Sequence, residues 1–171
     1  MNYFELFDLP VQLKVDKAAV RKKYLDLSRQ SHPDYFINEG TDEQQRALET
    51  SASLNKALKT LTNEDELIKY VLTEKELLEK DEKYVLPASF LMEMMEFNES
   101  IAELQFGEDS NVEKLKEGLD TLQGDIYGFV KEVIENYKEG ITTKEELLQV
   151  KEYYFKKKYL ERLRHQLDQK L

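Results

Sequence analysis

The sequence predicts an all-α protein built as two helical units, and three observations carry that prediction. Apolar residues recur at three- and four-residue spacings, charged residues make up 35% of the chain, and only six Gly and three Pro interrupt 171 residues. A chain of that length can bury one compact core or two small ones. Charge divides it: residues 1–75 hold 11 Lys/Arg against 13 Asp/Glu, net −2, whereas 76–171 hold 14 against 22, net −8. The two parts are therefore expected to meet different partners.

Composition removes several functions. The chain has no cysteine, which excludes disulfides, thiolate metal sites and cysteine catalysis. Its two histidines, His32 and His165, lie far apart, so no metal site and no cofactor are expected. A formal charge of −10 argues against a nucleic-acid binder, because phosphate contacts need a basic surface. No run of about 18 apolar residues and no basic-plus-apolar leader is visible, so a cytoplasmic protein without a membrane segment is expected.

In chain order, Asn2 to Pro10 is a short apolar segment with a proline stop. Asp16 is placed to cap a helix from Lys17 to Gln30, with Val20, Tyr24 and Leu27 forming its buried stripe. Lys22 and Arg29 lie opposite that stripe and Arg21 lies close by, giving a cationic outer face. Pro33 fixes its own φ, lacks an amide donor and pushes His32 out of the α region, so this helix must end before it. Ser31-His32-Pro33-Asp34-Tyr35 then forms an exposed turn with His and Asp directed outward.

Thr41 to Gln44 reads as a capping box opening a second long helix, antiparallel to the first, with Ala47, Leu54, Leu58 and Leu61 on one face. Thr62-Asn63-Glu64 caps a shorter helix carrying Leu67, Ile68, Val71 and Leu72. A charged run from Glu74 to Lys83 leads to Pro87, which suits the first turn of a new helix. That helix, expected from about Pro87 to Phe106, carries two stripes. Phe90, Met94, Phe97, Ile101 and Leu104 face a core. Roughly half a turn away, by the 3.6-residue period, lie Met92, Met95, Glu96, Glu99 and Glu103. Methionines among aligned acids on a face turned from the core suit an adaptable binding surface; the plainer alternative is surplus apolar residues on a solvated face.

Gly107 is expected to end that helix and Ser110-Asn111-Val112-Glu113 to cap another, with Leu115, Leu119, Leu122, Ile126, Phe129, Val133 and Tyr137 in a bundle-like pattern. Gly118, Gly124 and Gly128 each cost about 1 kcal/mol relative to Ala inside a helix and would allow close helix approach. After Gly140, Thr142-Thr143-Lys144-Glu145 caps a last helix bearing Leu147, Val150, Tyr154, Leu160, Leu163 and Leu167. Phe155 sits off its later stripe. Lys156-Lys157-Lys158 reads as a solvated patch.

The short Tyr/Phe/Leu helix, basic helix, His-Pro-Asp turn and antiparallel helix with Ser53 to Leu61 together resemble a J-domain. The wider combination resembles the HscB family, J-type co-chaperones of iron–sulfur cluster biogenesis. It rests on Tyr3 to Pro10, Leu27 to Phe36, Ser51 to Ala57, and Phe90-Leu91-Met92-Glu93, the last outside any J-domain. The resemblance implies an L-shaped molecule: a J-domain over 1–75 (an antiparallel helix pair with short flanking helices), a connector over 76–86, and a C-terminal three-helix bundle over 87–171. It further implies that His32, Pro33 and Asp34, with Arg21, Lys22 and Arg29, dock on a DnaK-like chaperone (HscA or a substitute) and stimulate its ATPase. Leu91, Met92, Met95, Glu96, Glu99, Glu103 and Phe155 would then bind the IscU-type cluster scaffold. Three departures stand out: Tyr35 replaces a common Lys after the Asp, Asp8 replaces a common Gly, and the cysteine zinc module of some eukaryotic relatives is not seen.

Three functions compete. A co-chaperone that delivers the scaffold, and is itself no enzyme, accounts for both surfaces. A J-type adaptor for a different client accounts for the first surface only. An enzyme using His32 and Asp34 as an acid–base pair is disfavoured, because residues two apart across a proline diverge and no nucleophile or metal ligand stands beside them.

Overall fold

Capping side chains open four of the α-helices in this computed structural model, which describes residues 2–104 and 109–170, Asp109 by its backbone alone. Asn2 and Glu5 exchange hydrogen bonds as a capping box around α1 (Tyr3–Leu6). Asp16 accepts from the Ala18 and Ala19 amides and opens α2 (Lys17–Gln30). A 3-10 turn follows at Pro33–Phe36, then α3 (Thr41–Leu61) and α4 (Glu64–Glu74), the last capped by Asn63 through the Glu66 amide. The remaining helices are α5 (Ala88–Ala102), α6 (Asp109–Gly128), α7 (Lys131–Glu135) and α8 (Lys144–Asp168). Among the described residues there is no strand, and the all-α expectation holds.

The expected stripes are the ones that bury. Val20, Ala47, Leu54, Leu61 and the α4 quartet Leu67, Ile68, Val71 and Leu72 form the N-terminal part of the core. Phe90, Met94, Ile101, Leu119, Ile126, Leu147, Val150, Tyr154, Leu160, Leu163 and Leu167 continue it through α5, α6 and α8. Truncating such a leucine to alanine removes about 2–5 kcal/mol, so these positions dominate stability. Tyr24 donates to Asn55 at 2.6 Å, tying α2 to α3 across the 31–40 turn. Tyr70 stacks on Tyr3 with centroids 4.5 Å apart, and its hydroxyl accepts from the Tyr3 amide, which seats α1.

Several boundaries differ from expectation. Thr41 is not a cap: Gly40 takes that place with no side-chain bond, and Thr41 is the first helical residue. Ser110 lies inside α6, which already begins at Asp109. The capping box of α8 pairs Thr143 with Glu146, one residue later than the spacing at Thr142 suggests. α5 ends at Ala102, and the expectations on Phe106 and Gly107 lie outside the described residues.

The long helix expected through Tyr137 is broken at Phe129-Val130. Val130 turns inward there and Phe129 is left exposed, so the bundle of α5, α6 and α8 gains the short α7. Of the three helical glycines only Gly118 has a close neighbour: a methyl group added there would lie 3.2 Å from the Phe97 ring, while Gly124 and Gly128 face open space.

The Lys156–Lys158 run is the largest correction. Lys157 donates to Asp65 at 2.6 Å and lies 3.8 Å from Glu64, while Lys156 and Lys158 sit over the Phe90 and Tyr154 rings. Sequence spacing on α8 could not reveal that α4 supplies carboxylates to this stretch.

Candidate functional site

Two surfaces carry the candidate residues, and the seam between them fixes how they are held. The first is the 31–37 turn. His32 caps the 3-10 helix: the Asp34 amide donates to its Nδ1 at 3.2 Å. With Nδ1 accepting, the neutral ring carries its proton on Nε2, so the donor edge points away from the turn. Contrary to the divergence expected across the proline, the Asp34 carboxylate stands 3.6 Å from the same nitrogen; the His32 side chain is about half exposed and the Asp34 side chain largely so. Pro33 locks the φ on which this geometry depends.

Arg21, Lys22 and Arg29 lie on α2, and all three are exposed. Lys23, which the sequence does not single out, does different work. Its Nζ donates to the Phe7 carbonyl at 2.7 Å and the Asp8 carbonyl at 2.9 Å, locking α2 against the end of α1. Asp8 has φ of +50°, the left-handed region where Gly is easiest and Asp is tolerated. That is the physical content of the Gly-to-Asp departure: the turn is kept, and Lys23 binds its carbonyls.

The second surface is the outer face of α5. Met92 and Met95 are 65% and 59% exposed, and Glu96, Glu99 and Glu103 lie beside them, Glu96 and Glu99 on the same helix. Leu91 is half-buried at the edge of this face. Residues 88–104 contain no Lys or Arg, so α5 itself sets no cation beside the methionines. Phe155 is placed differently: half-buried on α8, it stacks on Tyr84 with centroids 4.7 Å apart and planes 3° off parallel. Phe90, next to Leu91, meets Tyr159 edge-on, so the first turn of α5 and Phe155 occupy neighbouring stretches of α8.

The seam is ionic around an apolar centre. Besides Lys157 with Asp65, Lys14 pairs with Glu135 at 3.0 Å and Lys75 pairs with Glu139. The 76–86 segment is pinned as well: Lys151 binds Glu82 at 2.7 Å, Tyr84 lies on Phe155, and Leu78 is buried. The Lys151 ammonium holds the Glu82 carboxyl below its usual range. A cleft of about 460 Å³ opens along the seam between Leu13, Ile68, Tyr127, Ile134 and Tyr153. No helix of the described residues is long and apolar enough to cross a membrane, and none of their His, Asp or Glu side chains gather in threes as a cation site would require.

A family model described as "HSCB C-terminal oligomerisation domain" matches residues 86–168, the part that carries the α5 face. The co-chaperone protein HscB homolog of Psychromonas ingrahamii is 34% identical over 134 residues, 78% of this chain and 78% of its own. The chain belongs to the HscB family. Solved HscB structures agree on the fold. The crystal structure of human co-chaperone protein HscB aligns with TM-score 0.79 and 25% identity over 99% of this chain and 82% of that one. The chaperone HscB from Vibrio cholerae aligns with TM-score 0.75 and 22% identity over 99% and 96%. HscB proteins are J-type co-chaperones of iron–sulfur cluster assembly, not enzymes. As an HscB protein the chain has a J-domain followed by a helical bundle, the fold class read from the sequence.

Proposed function

We propose that this chain delivers an IscU-type iron–sulfur scaffold to a DnaK-like chaperone, HscA or its equivalent, and stimulates that chaperone's ATPase in the cytoplasm. In this reading residues 1–75 act as the J-domain, 76–86 as the connector and 87–171 as the scaffold-binding unit. His32, Pro33, Asp34, Arg21, Lys22 and Arg29 meet the chaperone. Leu91, Met92, Met95, Glu96, Glu99 and Glu103 meet the scaffold, with Phe155 at the edge of that contact.

The observation that carries the reading is the exposure of Met92 and Met95 at 65% and 59% among aligned glutamates, on an α5 face that the core does not use. Methionine side chains supply adaptable apolar area, and the acids orient a basic-rimmed partner. The exposed turn supports the chaperone half of the reading: a proline-locked loop beside three cations can pair with an acidic surface in one orientation. The two surfaces lie on units joined by the seam, so a client held on one is presented in a set direction from the other.

Calorimetric titration with purified scaffold tests it, wild type beside the Met92→Ala/Glu99→Lys double variant. Saturable binding that the variant loses is expected. Absence of binding by wild type, with chaperone stimulation intact, would instead support a J-type co-chaperone for a different client.

A further inference from the structure

The cationic face of α2 has an apolar residue at its centre. Leu25 is 51% exposed, and it stands four residues after Arg21, three after Lys22 and four before Arg29. Those are the spacings of neighbours on a helix surface, so the cations flank it on both sides along α2. Leu25 takes no part in the stripe of Val20, Tyr24 and Leu27 that packs inward. Across the turn, Tyr35 is 70% exposed, with its ring edge-on to His32 at 6.2 Å, and Ile37 is 65% exposed.

A single exposed leucine needs no explanation. Here a leucine is flanked along the helix by three cations, and Tyr35 flanks the histidine of the same surface. That arrangement is an apolar centre within a charged rim, the layout in which central side chains carry most of the binding energy and the rim steers the approach.

We infer that Leu25 and Tyr35 are the apolar anchors of the chaperone-docking face, and that the partner surface is an apolar depression rimmed by carboxylates. The inference rests on the reading that this face meets the chaperone ATPase. It gives the docking a component that salt does not screen, whereas contacts among Arg21, Lys22, Arg29 and exposed carboxylates weaken as ionic strength rises.

The experiment is a titration of chaperone ATPase stimulation at low and high salt with wild type, Leu25→Gln, Tyr35→Ser and His32→Gln. Thermal melts confirm folding; Gln keeps helix propensity at 25, and position 35 lies in the turn. For each anchor variant, half-maximal stimulation should need about tenfold more protein at both salt concentrations, the effect of losing one central contact whose contribution salt does not screen. Half-maximal concentrations equal to wild type at both salt concentrations for both variants would overturn the inference while leaving the chaperone reading intact. Wild type no better than His32→Gln would overturn the chaperone reading and the inference with it.

Discussion

Lys157 on α8 donates to Asp65 on α4 at 2.6 Å, with only 12% of the lysine side chain exposed, and this pair fastens the C-terminal bundle to the N-terminal helices. Glu64 stands 3.8 Å away on the same lysine. A partly buried pair lies between exposed ion pairs, worth little, and fully buried ones, whose disruption strands a charge. Lys157→Ala should therefore destabilise the protein by about 1–3 kcal/mol, read from denaturant unfolding at neutral pH. No change would mean that the seam is held by its apolar contacts alone.

The same cluster gives a pH dependence. Partial burial and a hydrogen bond to Asp65 push Glu161 up to about 7. Burial would also raise Asp65, but the hydrogen bonds from Glu161 and Lys157 outweigh it and hold Asp65 below its usual range. A carboxyl raised on folding favours the folded state while protonated, so the Glu161 contribution is present at low pH and lost as pH rises through about 7. Asp65 runs the other way, its contribution present above its ordinary value and lost in acid. Glu161→Gln removes the ionisation, so its melting temperature relative to wild type should be higher at pH 8 than at pH 5. An offset independent of pH would contradict this coupling.

Gly124 tests the packing of α6. A methyl group there would meet nothing within 4 Å, so Gly124→Ala should gain helix propensity without a clash. The expected gain is about 0.5–1 kcal/mol in thermal or denaturant unfolding. Destabilisation would show that a neighbour approaches this face closely.

On the α5 face, Met92→Ala with Glu99→Lys should weaken scaffold binding while leaving stimulation of the chaperone alone at the wild-type level. Both side chains are exposed, so the double variant should keep its melting temperature. Parallel loss of both activities, with a lowered melting temperature, would point to a folding defect instead.

How much of the molecule is legible in its sequence follows from where the information lies. Asp16, Asn63 and the stripes Val20-Tyr24-Leu27 and Leu67-Ile68-Val71-Leu72 are readable because caps and helical periodicity are local. The exposure of Met92 and Met95 is readable for the same reason, as α5 has one core face and they lie opposite it. Lys156 to Lys158 are not, because their partners, Asp65 and the Phe90 and Tyr154 rings, include groups brought in by tertiary packing. Phe129 is misplaced by periodicity, which does not register the two-residue break that turns Val130 inward. A lysine beside Lys22 likewise gives no local sign that, as Lys23 does, it will bind two backbone carbonyls at the end of α1.

The central claim, that one chain couples a scaffold to a chaperone through its exposed turn, is tested most directly by His32→Gln in a chaperone turnover assay with scaffold present. The His32 side chain is about half exposed and caps only a four-residue turn, so the variant should melt as wild type does. The account predicts that wild type raises ATP hydrolysis, more so with scaffold, and that His32→Gln still binds scaffold yet raises hydrolysis in neither condition. A stimulated rate for His32→Gln equal to that of wild type would contradict it.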